Sequence, residues 1–390
     1  MLLKFIQSGS RILLIVMISF LANFIIAQEN DVSQQDSVEK KDGFFQKMLS
    51  PDSTQLFRFK VLPILTYSPE TSLGIGAGFV FNWDYATASA STNSSLAQSF
   101  FYYTLNDQID WTTLFELYSN ENKFFISGKL GYIKFPQYYY GVGNDLVAEE
   151  REKFSFQQFY IDLRNRIKIA NGIYLGVDYY FNKNYDVSWQ EDSKFSSDPF
   201  YIATDGYLLS GIGPEIAFDT RDYPFNPDKG SYLSASMLVF SDAFGSEYSY
   251  NSYQLDFRHF IPVNLKKHWV IALNFYGLFA KGDVPFNRLP ALGNSQIMRG
   301  YYSGRFRDHN YIAFQLEWRM PLWKFIGLRT WVGTGQVASK FDQFHMTGFK
   351  PNVGVGIRLE FDKRSRSNAR LDQGFGEGQE GFYLKINEAF

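Results

Sequence analysis

The strongest constraint on the fold is the strict alternation of apolar and polar residues in segment 311–321. Successive side chains of a β-strand point to opposite faces, so odd-numbered and even-numbered residues separate. The apolar face carries Ile312, Phe314, Leu316, Trp318 and Met320. The opposite face carries Tyr311, Ala313, Gln315, Glu317 and Arg319. The segment is therefore predicted to be a strand between an apolar and a polar environment.

The same pattern recurs in other segments, and this separates a membrane barrel from a soluble one. In one segment Phe159, Ile161, Leu163, Ile167 and Ile169 oppose Tyr160, Asp162, Arg164, Arg166 and Lys168. In another, Val353, Val355, Ile357, Leu359 and Phe361 oppose Arg358, Glu360 and Asp362. Two or three charges on each inner face are too many for a packed core, because charged residues are almost never buried unpaired. A wet interior and a lipid-facing exterior are expected instead.

Segments of this kind predict an all-β fold, a transmembrane antiparallel β-barrel of about 16 strands that spans residues 56–390. The fifteenth strand is placed at 366–373 and the sixteenth at 381–390. Connections alternate between short turns and long polar loops, as in outer-membrane barrels, although the one at 84–96 is long for its side. The 26 Tyr and 40 Phe residues suit aromatic girdles at two membrane interfaces.

The first residues predict export. Lys4 and Arg11 precede an apolar stretch, 12–26, that ends at Ala27, so residues 1–27 are interpreted as a cleaved signal peptide. An uncleaved anchor is the alternative. Residues 28–55 are polar and are interpreted as a periplasmic linker or short plug. Without cysteine, disulfides and thiolate metal sites are excluded. The expected location is the bacterial outer membrane.

The long connection at 282–310 contains Met298, Arg299, Gly300, Tyr301 and Tyr302 in a Gly/Pro-rich context. Its position between two alternating strands indicates a charged loop folded into the lumen. Gly300 would permit a sharp backbone turn beside the guanidinium of Arg299. The alternative is an extracellular loop whose arginine meets only water.

The order of motifs resembles a known family. Asp219, Arg221, Asp222 and Gly230 mark a segment similar to its periplasmic hairpin. Residues 298–301 match its Val-Arg-Gly-Phe/Tyr loop tip, and 316–321 match the strand that follows. The chain resembles the bacterial surface antigen superfamily of outer-membrane assembly factors, of the BamA and TamA type.

The resemblance implies a sixteen-stranded barrel whose loop arginine pairs with acidic side chains on the next two strands. Glu317 matches the first partner of Arg299, and Tyr301 belongs to the same loop tip. The second partner is missing, because its position falls at Gly333; Glu360 is considered in its place.

A second departure concerns the amino-terminal side of the barrel. Members of this family carry periplasmic modules (POTRA domains), and the short stretch after Ala27 cannot hold one compact domain of that kind. The chain is therefore expected to be a reduced form, to which another protein would deliver substrates.

The first and last strands must meet at a seam. Pro63 lies within the first strand, where a missing donor favours an edge or a bulge. On the last strand one face carries Phe382, Leu384, Ile386 and Phe390. This ending resembles the family's C-terminal assembly signal; the alternative is the closing strand of a soluble barrel. A weak seam would open sideways and pair with incoming strands.

No catalytic residues, metal site or cofactor are predicted, because the glycine clusters lie in strands and the four histidines are scattered. The expected function is assembly, insertion or translocation of proteins at the outer membrane; a passive diffusion channel or a surface structural barrel is the alternative. Expected partners are outer-membrane lipid, assembly partners in the periplasm or outer membrane, and unfolded barrel clients. The net charge of -2 gives no indication of nucleic acid.

Overall fold

The structure is a computed structural model, and it describes residues 57–68, 72–83, 92, 95–223, 226–323, 325–362, 367–386 and 388–390. The predicted signal peptide at 1–27 and the predicted linker at 28–55 lie outside the described residues. Everything below concerns the barrel.

Sixteen strands form one closed antiparallel sheet in which each strand pairs with its neighbours in the chain and the last pairs with the first. Seven strands make up the first part of the wall: β1 (Phe57–Ser68), β2 (Ser72–Trp83), β3 (Ser95–Thr104), β4 (Ile109–Tyr118), β5 (Phe124–Lys134), β7 (Glu152–Ala170) and β8 (Ile173–Trp189). The next five are β9 (Tyr207–Asp219), β10 (Gly230–Phe240), β11 (Tyr250–Asn264), β12 (Trp269–Gly282) and β15 (Asn310–Trp323). The last four are β16 (Ile326–Ala338), β17 (Lys350–Asp362), β18 (Ser367–Gly376) and β19 (Gln379–Ile386). The predicted fold class and strand number are confirmed.

Three short strands lie outside this count. The segment β6 (Gln137–Tyr139) continues the pairing of β5 along β7. A two-residue hairpin, β13 (Ala291–Leu292) with β14 (Phe306–Arg307), lies inside the long loop. The helical pieces of the described residues are α1 (Lys194–Ser197) and five 3-10 turns, Asn120–Asn122, Asp242–Phe244, Leu265–Lys267, Phe341–Gln343 and Met346–Gly348. Within the described part of the chain, no helix is long and apolar enough to cross a bilayer.

The two faces of the wall differ as the alternation predicts. On β15 the apolar side chains of Phe314 and Trp318 are 46% and 40% exposed, whereas Glu317 and Arg319 are 0% and 1% exposed. Outward apolar side chains are exposed on many strands, including Phe59, Ile75, Phe101, Ile167, Val177, Ile216, Phe257, Val332, Val355 and Phe375. An apolar outer surface of this extent requires a lipid environment.

The connections divide between two rims. We call the rim with the short connections 119–123, 171–172 and 265–268 the turn rim. The opposite rim, here the loop rim, carries the long connections 135–151, 190–206, 283–309 and 339–349. The strand β19 ends at the turn rim.

The last strand is shorter than expected. It ends at Ile386, and the final residues leave the wall, so the prediction that Phe390 shares a strand face with Phe382 and Leu384 was wrong. A continued strand would place Glu388 on that same face, toward lipid, where a carboxylate is unfavourable. Instead Glu388 and Phe390 are 8% and 7% exposed and contact inner-face side chains.

The seam between the first and last strands has little pairing. Among the described residues its register consists of one pair, Tyr67 opposite Leu384, supported by a 3.2 Å hydrogen bond from Thr66 Oγ1 to the Leu384 oxygen. By contrast β1 and β2 pair over their whole length. Pro63 lies opposite Ala77 in that unbroken register and therefore does not mark a bulge there.

Candidate functional site in the barrel interior

Residues 283–309, the long loop, pack against the inner face of the wall. Ile297, Met298 and Tyr301 of the loop form a buried apolar cluster with Tyr311 on β15 and Val337 on β16. A second part of the loop, around Val284 and Leu289, joins a buried cluster with inward side chains of β8 to β12. The loop makes its contacts with residues that face away from lipid.

Arg299 lies at the centre of these contacts and is fully buried. Its Nη2 donates to Glu317 Oε2 at 2.6 Å, and its Nη1 donates to Asp372 Oδ2 at 2.7 Å. The guanidinium carbon lies 3.6 Å from the ring centre of Trp331 on β16. Charge-assisted hydrogen bonds and cation–π stacking are both strengthened where water is excluded. Arg299 therefore joins three separate strands of the wall.

The second carboxylate is Asp372 on β18, and the expectation of Glu360 was wrong. Asp372 also accepts hydrogen bonds from Arg358 at 2.5 Å and Arg370 at 2.9 Å. Arg370 and Asp372 alternate in the sequence as inward residues should, so a signal was present. The pairing of Asp372 with Arg299 was missed because alternation assigns a face to each residue but does not determine which strand the loop reaches.

The backbone of the loop tip is held as firmly as its side chain. Gly300 has φ +114, and its N–H donates to the Tyr383 hydroxyl at 3.0 Å. A Cβ at Gly300 would lie 2.7 Å from the backbone nitrogen of Phe375, so only glycine allows this approach to β18. Tyr301 donates from its hydroxyl to the Pro351 oxygen at 2.7 Å.

Asn352 on β17 occupies the space beside Gly333, the position at which the resemblance implied an acid. Its Nδ2 donates to the Arg299 oxygen at 3.0 Å. A Cβ at Gly333 would lie 2.4 Å from Asn352 Oδ1, which shows that the amide fills the volume above this glycine. The loop tip is therefore adapted to a glycine at position 333.

We expect Gly333→Asp to destabilise the barrel by roughly 1–3 kcal/mol, as overpacking does. The double variant Gly333→Asp/Asn352→Gly should be less destabilised than the sum of the two single variants, because it removes the collision. Urea unfolding in lipid vesicles measures all three. Additive effects would show that Asn352 and position 333 do not share this volume.

Arg299 belongs to a larger buried charge cluster. The arginines are Arg299, Arg319, Arg329, Arg358 and Arg370, and the carboxylates are Glu317, Asp372 and Glu388. All are nearly or completely buried. Ion pairs removed from water are stable only when geometry and hydrogen bonding are good, and each partner then becomes sensitive to loss of the other.

The loop-rim side of the long loop is capped by aromatic rings. Arg307 stacks over Tyr139 at 4.7 Å, and Arg305 stacks over Tyr140 at 4.6 Å. Burial lowers the pKa of both guanidinium groups from the usual value, although arginine remains protonated in proteins. Tyr139 also contacts Phe154, Phe195, Tyr201 and Phe286 edge to face. Aromatic rings therefore hold the loop near the loop rim, and the ion pairs of Arg299 hold its tip.

The predicted hairpin residues lie in the connection between β9 and β10 at the turn rim, where hydrogen bonds hold the turn. Asp219 binds the side chain of Arg221 at 2.6 and 2.9 Å. Asp222 accepts from the backbone N–H groups of Asp228 and Lys229. Gly230 has φ +103, and a Cβ there would lie 2.3 Å from the Thr220 oxygen. A 3.5 Å contact from Arg319 Nη1 to Asn226 Oδ1 connects this turn to the charge cluster.

A closed barrel with an apolar exterior, ionic groups inside and a loop bound to the inner wall defines an outer-membrane β-barrel. The sequence model of the Omp85 superfamily domain matches residues 71–390. The chain therefore belongs to the Omp85 superfamily.

Two solved structures illustrate the similarity of fold. The barrel resembles BamA from Haemophilus ducreyi lacking POTRA domains 1-3, with a TM-score of 0.54, 14% identity, and coverage of 85% of this chain and 70% of that one. It also resembles CdiB from Acinetobacter baumannii, with a TM-score of 0.54, 13% identity, and coverage of 86% and 60%. Comparison with curated proteins finds no match.

Proposed function

We propose that this barrel is a non-enzymatic factor in the assembly, insertion or translocation of proteins at the outer membrane. The observation that carries the proposal is the combination of a barely paired seam with a loop anchored across the interior. Clients are unfolded barrel proteins, and periplasmic or outer-membrane partners deliver them.

The seam supplies unpaired strand edges. Among the residues that the structure describes, one register pair closes β1 to β19, whereas β1 pairs with β2 throughout. Unpaired N–H and C=O groups on a strand edge are templates for pairing with another chain. Pro63 on β1 has no N–H to donate to a neighbouring strand. Opening the seam therefore breaks few hydrogen bonds and exposes two edges to an incoming strand.

The loop keeps the interior occupied while the seam works. Arg299 holds the tip to β15 and β18, and aromatic rings hold the loop-rim part. A passive diffusion channel, the second candidate, needs an open pore. The buried clusters formed by residues 283–309 favour the first function over the second.

A disulfide across the seam tests the mechanism. Tyr67 and Leu384 are directly opposite, and the Cα atoms of opposed residues in antiparallel strands are about 4.5–5.5 Å apart, within the Cα range of a disulfide. In the pair Tyr67→Cys/Leu384→Cys, we expect oxidation to abolish folding of a client barrel into vesicles and reduction to restore it. The chain has no other cysteine to interfere.

The matched control is Leu371→Cys/Leu384→Cys, which bridges β18 and β19, an ordinary neighbouring pair. It should leave client folding unchanged when oxidised. Equal client folding by the oxidised seam variant and this control would rule out lateral opening.

The export signal and linker belong to the same proposal. We infer that residues 1–27 are removed on export and that residues 28–55 lie in the periplasm. The outer surface of the barrel is apolar, as expected of a partner for outer-membrane lipid. The mass of protein isolated from outer membranes tests the cleavage, since removal would leave Gln28 as the first residue.

A further inference from the structure

Residues 388–390, which we call the tail segment, bind inside the barrel at the turn rim. Glu388 Oε2 accepts from Arg358 Nε at 2.7 Å, and Glu388 Oε1 accepts from Arg329 Nη2 at 2.9 Å. Asn368 Nδ2 donates to the same Oε1 at 3.1 Å. Arg319 Nη2 donates to the main-chain oxygen of Phe390 at 2.6 Å. Side chains of four strands, β15 to β18, thus bind the Glu388 carboxylate and the Phe390 oxygen.

The apolar part of the tail segment also has a matching surface. Ala389 and Phe390 form a buried cluster with Phe260 on β11 and with Val270 and Ala272 on β12. These three wall residues face inward and are at most 2% exposed. An inner wall that meets water is polar, so this apolar inward patch needs a covering group, as the patches under the long loop do. It lies beside the arginines and is covered by the tail segment.

The wall carries more positive than negative charge at this place. Its arginines are Arg319, Arg329, Arg358 and Arg370, and its carboxylates in the same network are Glu317 and Asp372. Both carboxylates also bind Arg299 of the loop. Buried guanidinium groups without counter-charge are strongly unfavourable. The site therefore requires an anion from outside the wall, and Glu388 supplies it.

We propose that this region is a peptide-binding site for a segment with a glutamate two residues before an aromatic residue, and that the chain's own tail segment occupies it. The tail segment is a ligand bound in cis rather than a part of the wall.

Two chains of ion pairs connect this site to the loop. One runs from Arg299 through Glu317 to Arg319, which binds Phe390. The other runs from Arg299 through Asp372 to Arg358, which binds Glu388. Release of the tail segment removes one hydrogen-bond partner from Arg319 and one carboxylate from Arg358, so release is expected to shift both side chains and to weaken the hold on the loop.

Accessibility of a single cysteine tests the position of the tail segment. Ala389→Cys introduces the only thiol of the chain at a position that is 2% exposed. We expect this thiol to react with a membrane-impermeant maleimide at least about tenfold faster when Glu388→Gln is added, since the loss of a charged hydrogen bond has that order of effect. Lys266→Cys, in an exposed turn of the same rim, should react rapidly in both backgrounds.

Binding in trans tests the site itself. The probe is a synthetic peptide with the sequence of residues 385–390 and a fluorophore at its amino end. The protein for this test is a variant that lacks residues 388–390. We expect the probe to bind this variant at least about tenfold more tightly than a second peptide does, one that differs only by Glu388→Gln. The unaltered protein should not bind it, because its own tail segment fills the site.

Two results would overturn the proposal: rapid labelling of Ala389→Cys in the otherwise unaltered barrel, or no binding of the peptide by a folded deletion variant. The labelling experiment uses the full chain and remains decisive if the deletion variant does not fold. Neither measurement depends on client assembly, so the proposal stands or fails separately from the proposed function.

Discussion

Replacing Arg299 by alanine is expected to cost the barrel about 3–5 kcal/mol of stability, the usual effect of removing one partner of a buried ion pair. Glu317 and Asp372 would each lose a hydrogen bond of 2.6–2.7 Å in a fully buried site. Trp331 would lose the cation that covers its ring. Urea unfolding in lipid vesicles measures the loss of stability.

The same variant should conduct ions. We propose that the anchored loop blocks the interior, so release of its tip should give steady openings in planar bilayers that the unaltered protein lacks. Arg299→Lys is the matched control, because it keeps the charge but cannot bridge two carboxylates through a planar fork. The stability and the conductance of Arg299→Lys should lie between those of the unaltered protein and those of Arg299→Ala. Unaltered stability and conductance in Arg299→Ala would show that the loop is not held by this residue.

Adding one methyl group to the wall at Gly374 should displace the loop without touching any charge. A Cβ at Gly374 would lie 2.6 Å from the backbone carbon and oxygen of Arg299, and no side-chain rotation relieves a clash with backbone. We expect Gly374→Ala to cost roughly 3 kcal/mol, the upper range for overpacking, and to raise the conductance.

A strand glycine far from the loop provides the control for this change. A Cβ at Gly78 on β2 would meet only side-chain atoms, at 3.1–3.3 Å, which have freedom to adjust. Gly78→Ala should therefore have a small effect on stability and none on conductance. If the two alanine variants behave alike, the close approach of the loop to β18 is not a feature of the folded protein.

Much of the fold was predictable because strand alternation is a local property. The residues of β15 indicate their faces by their order in the chain, and the structure places Glu317 and Arg319 inside and Phe314 and Trp318 outside as predicted. The strand count followed from repetition of the same rule. The end of β19 was predicted wrongly because Phe390 has the parity of the apolar face. Glu388 has the same parity, and a carboxylate on that face is unfavourable in lipid.

The interior site was only partly predictable. The motif at 298–301 and the inward parity of Glu317 identified the loop tip and the carboxylate that lies 2.6 Å from Arg299. Asp372, Trp331 and Asn352 were missed, since their roles depend on how far the loop reaches across the barrel. That distance is determined by the register of β15 to β18, which no single strand encodes.

The sequence by itself determined which face of each strand meets lipid, the barrel class and the charged loop tip, because side chains two residues apart share a face whatever the rest of the chain does. Only the tertiary structure decided that Asp372 binds Arg299 and that Glu388 and Phe390 turn inward. It also decided that, among the described residues, one register pair closes the seam. These features depend on residues far apart in the chain, which are brought together by the closure of the barrel and by the need of buried guanidinium groups for anions.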